Sequence, residues 1–191
     1  MLFNRANSSS FSKKTRKSSK IRYIIIHYTG MQSKRASLKR LIDKKQKVSC
    51  HYLIDRSGKI YQLVDDNKVA WHAGKSKWKN IENLNENSIG IELVNKGHQF
   101  GYQKFPKIQI APLIKLCLFI KKKYKIKNAN ILGHSDIAPF RKKDPGEKFP
   151  WLLLSKKKIG IWFPPMIKDF KQLSLSQRRK ILFKNLYKIG Y

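Results

Sequence analysis

Residues 133–146 read Gly-His-Ser-Asp-Ile-Ala-Pro-Phe-Arg-Lys-Lys-Asp-Pro-Gly and follow a short, mostly apolar run, 129–132, that is typical of a strand. The two prolines disfavour a long helix through this segment. A loop that leaves the end of a strand often carries catalytic groups on a rigid scaffold. Histidine and carboxylate bind zinc, and catalytic zinc sites use three protein ligands with one open position. His134 and Asp144 are therefore candidate ligands, and a third must come from elsewhere in the chain.

A second segment, residues 21–30, reads Ile-Arg-Tyr-Ile-Ile-Ile-His-Tyr-Thr-Gly. Its nearly continuous β-branched run predicts a central strand that is buried on both faces. His27 lies at the end of that run. A histidine in this position is also explained as a core residue with satisfied hydrogen bonds, but the presence of His134 and Asp144 favours a ligand.

The middle of the chain alternates between helix, strand and loop patterns. The predicted elements are a helix from Ser33 to about Lys45, a hairpin over 49–64, a polar exposed loop over 75–87, a strand over 88–95 and a helix that begins at Pro106. Glu92 stands within the apolar strand, where a carboxylate is costly to bury unless it is paired or functional. An ordinary strand residue facing water is the alternative.

The charge of the chain is strongly positive, since 43 Lys and Arg oppose 11 Asp and Glu and give a net charge of +32. Such a charge is typical of nucleic-acid binding. The lysines are scattered along the chain, however, which favours a compositional drift toward Lys, Ile and Asn. Cys50 and Cys117 form no disulfide framework and no zinc motif. No window approaches the length and apolarity of a transmembrane helix.

The two ends of the sequence are basic. Residues 1–20 contain six basic residues and no acidic ones, which predicts a disordered arm. The same residues lack the apolar core of a secretory signal. Residues 173–190 predict an amphipathic basic helix that could cover the domain or lie on an anionic membrane surface.

Five motifs occur together and in order, at 25–28, 49–54, 70–74, 89–93 and 133–146. Together they resemble the zinc-dependent N-acetylmuramoyl-L-alanine amidases of the type-2 amidase (peptidoglycan recognition protein-like) family, in its AmiD-like branch. The resemblance covers roughly residues 20–165. It implies an α/β fold with a mixed central β-sheet flanked by helices and with one Zn²⁺ over a sheet face.

The resemblance also assigns roles to individual residues. It implies that His27, His134 and Asp144 bind the zinc, that Glu92 is the catalytic acid near the metal, and that Lys142 stabilises the transition state. Tyr52 and His72 match positions that line the substrate groove. His51 falls within a motif but is not a family zinc ligand, so we interpret it as structural.

The implied activity is hydrolysis of the amide bond between N-acetylmuramic acid and L-alanine in peptidoglycan or its muropeptide fragments, by a monomer. A non-catalytic module of the same fold that binds wall peptide is one alternative, although retention of all three ligands with Glu92 and Lys142 favours the enzyme. A basic nucleic-acid-binding protein is the other, and it leaves these residues unexplained. We therefore expect no nucleic-acid partner.

The resemblance divides the chain into a basic arm (1–20), an amidase domain (21–165) and a basic amphipathic helix (166–191), the last as a possible remnant of a C-terminal peptidoglycan-binding domain. Members of the AmiD-like branch usually carry a lipoprotein signal, which implies the periplasm or outer membrane. The sequence shows no such signal and by itself predicts the cytoplasm.

Overall fold

The structure, a computed structural model, describes residues 3–162 and 173–189. Its centre is a mixed sheet of six strands. In their order across the sheet, the strands are β1 (Asn4–Arg5), β5 (Ile60–Gln62), β4 (Tyr52–Ile54), β9 (Ser88–Leu93), β3 (Tyr23–Tyr28) and β10 (Ile131–Gly133). β4, β9, β3 and β10 run parallel to one another, whereas β4 and β5 form the predicted antiparallel hairpin.

The alternation of side chains along the central strands divides the sheet into two faces. One face packs against α2 (Lys107–Tyr124) in the largest apolar cluster. That cluster includes Ile24, Ile26, Ile89, Ile91, Leu93, Leu113, Leu116 and Ile120. His27 and Glu92 alternate with these residues and so lie on the opposite face, where they are paired in register across β3 and β9.

The predicted helices and turns are largely confirmed. α1 spans Lys34–Ile42 and begins as expected at Ser33, whose hydroxyl accepts a hydrogen bond from the amide of Ala36 at 3.1 Å. α2 begins directly after Pro106. The remaining α-helices of the first described range are α3 (His134–Ile137) and α4 (Trp151–Lys156).

The polar region 75–87 is more structured than a loop. It contains a small hairpin of β7 (Lys77–Trp78) and β8 (Ile81–Glu82), followed by a one-turn 3-10 helix, Leu84–Asn87. Trp78 and Leu84 are buried in an apolar cluster with residues of β3 and β10. This region therefore packs on the sheet face that carries His27.

The prediction of a disordered N-terminal arm is wrong for residues 3–20. β1 pairs in parallel with β5, and β2 (Phe11–Thr15) pairs antiparallel with β6 (Lys68–Ala70). Arg16 is buried. The composition of the arm shows only that it has little apolar surface to bury. It does not show that the edge of a sheet provides backbone groups with which the arm can form hydrogen bonds.

Near the end of the chain, α5 spans Leu175–Ile189, within the helix predicted for this region. Leu175, Leu182 and Phe183 are exposed on it. The predicted end of the domain near Pro165 and residues 166–172 lie outside the described part of the chain. Within the described ranges, no helix combines the length and apolarity that crossing a bilayer requires.

Candidate metal centre and groove

Three buried side chains converge at the ends of β3 and β10. Nδ1 of His27 lies 2.9 Å from Nδ1 of His134, and each of these nitrogens lies 3.0 Å from Oδ2 of Asp144. His27 ends the apolar run of β3, and His134 follows β10 directly. The structure thus brings together the three predicted ligands, and they form a group that could hold a metal ion.

A hydrogen bond from the outer ring nitrogen of His134 determines the tautomer of this ring. Nε2 lies 3.0 Å from the backbone oxygen of Ala73, and a carbonyl can only accept a hydrogen bond. In the tautomer that this contact requires, the proton sits on Nε2, and Nδ1 presents a lone pair to the centre. Metal-binding histidines commonly donate their outer N–H in this way.

A chain of hydrogen bonds fixes His27 in the same manner. The hydroxyl of Ser88 donates to the oxygen of Leu84 at 2.6 Å, so its oxygen is free to accept from Nε2 of His72 at 3.2 Å. Nδ1 of His72 then accepts from Nε2 of His27 at 3.0 Å. Nδ1 of His27 is left with a lone pair.

Two lone pairs and one carboxylate oxygen consequently face one another within 3.0 Å. Burial lowers the pKa of His27 to about 4, so this ring is neutral at pH 7. The donor set therefore fits a cation, which would relieve the mutual repulsion of its electron pairs.

Two glycines make room for this arrangement. A Cβ on Gly90 would lie 2.4 Å from Cγ of His72, so only glycine lets this ring lie behind His27. A Cβ on Gly133 would lie 2.6 Å from Cδ of Pro145 and would push away the loop that carries Asp144. Both glycines belong to the motifs that the sequence revealed.

Glu92 lies beside the centre on the same face of the sheet. It is 9% exposed, and within the described residues its Oε2 has no hydrogen-bond partner. Burial, reinforced by the charge of Asp144, raises the pKa of Glu92 to about 8, although Lys142 and Arg40 oppose this rise. A buried carboxyl with a free oxygen and a raised pKa suits proton transfer near neutral pH.

An open groove with a volume of about 870 Å³ exposes these residues to solvent. Its walls include four cationic side chains, namely Arg40, Arg141, Lys142 and Lys143. The carboxylates that line it are Glu92 and Asp144, at the centre itself. The groove is therefore suited to a ligand that carries negative charge.

Most of the predicted site residues line the groove. Glu92, Lys142 and His72 line the groove together with the three ligands. His72 is buried, however, and its ring nitrogens contact His27 and Ser88, so it supports a ligand.

The prediction for Tyr52 is wrong. Its side chain is 1% exposed, belongs to the cluster on the α2 face, and donates to Asp66 at 2.7 Å. Because side chains alternate along β4, Tyr52 points away from the groove. His51 lies outside the lining of the groove, as its interpretation as a structural residue requires, and its Nδ1 accepts from the amide of Gly90 at 3.0 Å.

Sequence reasoning missed several residues of this region. Arg141 donates to the backbone oxygens of Ala73 and Lys75 at 2.8 and 2.7 Å. The sequence signal for Arg141 was its position within the motif of residues 133–146, two residues after Pro139. Arg40, on the exposed side of α1, lines the groove, and nothing in its local sequence distinguishes it from other surface cations.

Comparison with known proteins agrees with this geometry. Residues 17–147 match the family of N-acetylmuramoyl-L-alanine amidases. The chain belongs to this family. The matched residues include all three ligands of the candidate metal centre, Glu92 and Lys142. The family resemblance predicted from the motifs is thereby confirmed.

Two curated amidases show the degree of similarity. N-acetylmuramoyl-L-alanine amidase AmiD of Escherichia coli (strain K12) is 43% identical over 155 residues, which cover 75% of this chain and 55% of AmiD. The 1,6-anhydro-N-acetylmuramyl-L-alanine amidase AmpD of Haemophilus influenzae is 44% identical over 108 residues, or 56% of each chain. The chain thus spans about half the length of the curated amidases that it matches.

Solved amidase structures share the fold. E. coli AmiD in complex with the substrate anhydro-N-acetylmuramic acid-L-Ala-D-γ-Glu-L-Lys matches with a TM-score of 0.75 and 34% identity, over 94% of this chain and 74% of AmiD. AmpDh3 from Pseudomonas aeruginosa matches with a TM-score of 0.79 and 32% identity, over 100% of this chain and 81% of AmpDh3. The predicted fold, a mixed central sheet flanked by helices, is confirmed.

Proposed function

We propose that this chain is a zinc-dependent hydrolase that cleaves the amide bond between N-acetylmuramic acid and L-alanine in muropeptides. The observation that carries the proposal is the convergence of two imidazole lone pairs and one carboxylate beside the buried Glu92, at the floor of an open cationic groove. Membership of the amidase family and the substrate-bound structure of E. coli AmiD support it.

Zinc would suit the donor set of His27, His134 and Asp144, because catalytic zinc sites use imidazole and carboxylate ligands and keep one position open. When bound there, zinc would supply a water with a pKa near 7 and a Lewis acid for the scissile carbonyl. The hydrogen bonds from His27 to His72 and from His134 to Ala73 keep both rings in the tautomer that binds metal.

Glu92 carries the proton in the proposed reaction. A water oxygen bonds to the lactyl carbonyl carbon, and the bond from that carbon to the alanine nitrogen breaks. Glu92 accepts the proton that the water loses and transfers it to the departing amine. Its free Oε2 and its burial suit a group that must hold and release a proton during each turnover.

Lys142 stabilises the charge that builds up on the carbonyl oxygen. It stands two residues before the ligand Asp144 and lines the same groove. A fixed cation beside a developing oxyanion lowers the barrier without reorganising solvent. The other cations of the groove, Arg40, Arg141 and Lys143, attract the carboxylates of the stem peptide.

The proposal is tested with an anhydro-N-acetylmuramyl tripeptide of the kind that E. coli AmiD binds. Protein stripped with a chelator should leave this compound intact, and the same protein reloaded with zinc should release the tripeptide. If zinc binds stoichiometrically while the muropeptide stays intact, the catalytic proposal fails and a binding module of the same fold takes its place.

A further inference from the structure

The side chain of Arg16 is buried between the N-terminal arm and the region that carries the site. It is 8% exposed. Its Nε donates to the backbone oxygen of Asp66 at 3.0 Å, and Nη1 donates to the oxygens of Asn85 and Glu86 at 2.9 and 3.0 Å. Nη2 lies 2.8 Å from Nε2 of His51. One guanidinium thus holds backbone from two separate segments.

The guanidinium of Arg16 remains charged at neutral pH despite its burial. Desolvation lowers its pKa to about 10, which still lies well above 7. A buried cation is costly unless it is hydrogen-bonded, and here three backbone oxygens accept from Nε and Nη1. The planar fork of an arginine can hold adjacent carbonyls in a way that a lysine cannot. The turn at Asn85 and Glu86 is therefore fixed by this residue.

Asn85 connects this turn to residues 72–73, which contact the metal ligands. Its Oδ1 accepts hydrogen bonds from the backbone amides of His72 and Ala73 at 3.0 and 2.7 Å. One amide side chain therefore sets the position of two consecutive residues. Arg16 holds the backbone of Asn85, and Asn85 holds the backbone of His72 and Ala73.

Those two residues are the ones that orient the ligand histidines. His72 accepts from the outer nitrogen of His27, and the oxygen of Ala73 accepts from the outer nitrogen of His134, both at 3.0 Å. Both ligand rings consequently depend on the same dipeptide. A shift of that dipeptide would rotate both rings together and move both lone pairs off the centre.

We propose that Arg16 and Asn85 are positioning residues for the metal ligands, acting through His72 and Ala73. Neither residue touches the centre or lines the groove. The inference rests on the proposed function insofar as it takes His27, His134 and Asp144 to bind zinc. The N-terminal arm would then contribute to the geometry of the metal centre, because Arg16 belongs to this arm.

The first test compares Arg16→Met with Arg5→Met. Arg5 lies in the same arm but is largely exposed and pairs with Asp65, so its variant is a matched control. Zinc affinity would be measured by chelator competition, and ligand geometry by the absorption spectrum of the cobalt-substituted protein. We expect the Arg16 variant to lose about tenfold or more in zinc affinity and to change the spectrum, as for other groups that support ligands. The Arg5 variant should match the wild type.

A second pair of variants tests the positioning role if Arg16→Met does not fold. Asn85→Asp keeps an oxygen that can accept from both amides, whereas Asn85→Leu removes it. We expect the Asp variant to keep its zinc affinity within a few-fold and the Leu variant to lose about tenfold. Wild-type zinc affinity and an unchanged spectrum in a folded Leu or Arg16 variant would overturn the inference.

These measurements separate the inference from the proposed function. Zinc affinity does not depend on whether the protein cleaves a muropeptide. If the wild type binds zinc but cleaves nothing, the proposed function fails and the positioning role is still decided by the variants. If the wild type does not bind zinc, both are overturned.

Discussion

His27 and Glu92 occupy paired positions on the adjacent parallel strands β3 and β9. Their side chains therefore lie on the same face of the sheet, one as a ligand of the candidate metal centre and the other as the buried carboxyl beside it. The opposite face packs against α2, so the sheet fixes the distance between ligand and carboxyl rigidly. Rigid strands hold such a pair more accurately than loops do.

The first prediction concerns Glu92→Gln. Glutamine keeps the shape of the side chain but cannot accept and return a proton, so kcat should fall by about 10²–10⁴. Zinc content and affinity should remain those of the wild type, because Glu92 is not a ligand. Steady-state kinetics on a muropeptide and metal analysis of the same sample check this. Undiminished kcat would remove Glu92 from the mechanism.

The second prediction concerns Lys142→Met. The loss of a cation beside the developing oxyanion should lower kcat by about 10²–10³ with a small change in KM. Lys156→Met is a suitable control, since Lys156 is exposed on α4 and is not part of the groove. A variant in which only KM rises would instead assign Lys142 to ground-state binding.

The third prediction uses the contact between Gly90 and His72. A methyl group at position 90 would lie 2.4 Å from the ring, so Gly90→Ala should destabilise the protein by about 1–3 kcal/mol and weaken zinc binding. In a His72→Ala background the same change should cost much less. Denaturant unfolding of the four proteins gives the coupling energy. Purely additive effects would show that the ring does not require this glycine.

The fourth prediction concerns pH and Asp66, which lies on the far side of the sheet from the groove. It accepts hydrogen bonds from Tyr52, Tyr124 and Lys123 at 2.7, 2.7 and 2.9 Å. Burial raises the pKa of Asp66, but these three donors outweigh it and lower that pKa below its usual value. The resulting stability is present above the unfolded pKa of about 4 and is lost as the pH falls through the folded pKa.

Asp66→Asn should therefore lower the free energy of unfolding at pH 7 by about 2–4 kcal/mol. The variant should also lose less stability than the wild type as the pH falls below about 4. Asp65→Asn is the control, because the neighbouring Asp65 is largely exposed and pairs only with an exposed arginine among the described residues. Equal acid sensitivity of wild type and Asp66→Asn would contradict the assignment.

Much of the candidate site could be predicted from the sequence because its residues lie at the ends of strongly patterned strands. His27 ends a β-branched run, Glu92 interrupts an apolar one, and His134 follows a third strand. Parallel strands then bring such positions to one face or edge. The periodic pattern of apolar residues along these strands thus predicts where the three side chains lie.

The errors have a common physical origin. The motif predicts that Tyr52 lines the groove. The face on which a strand residue lies depends, however, on the alternation of side chains in the folded strand, which the motif does not specify. Arg16 and Asn85 lie in polar segments, and each makes hydrogen bonds to residues that are distant in sequence. No local pattern predicts a contact of that kind.

The most direct test of the central claim is cleavage of a muropeptide by the zinc-loaded protein in ¹⁸O-labelled water, with both products analysed by mass spectrometry. Hydrolysis at the lactyl carbonyl places one ¹⁸O in the carboxylate of the muramyl product and releases an unlabelled peptide with a free alanine amine. We predict this labelling, and its loss with chelator and with Glu92→Gln. An intact muropeptide in the presence of stoichiometric zinc, or label in a peptide fragment, would contradict the account.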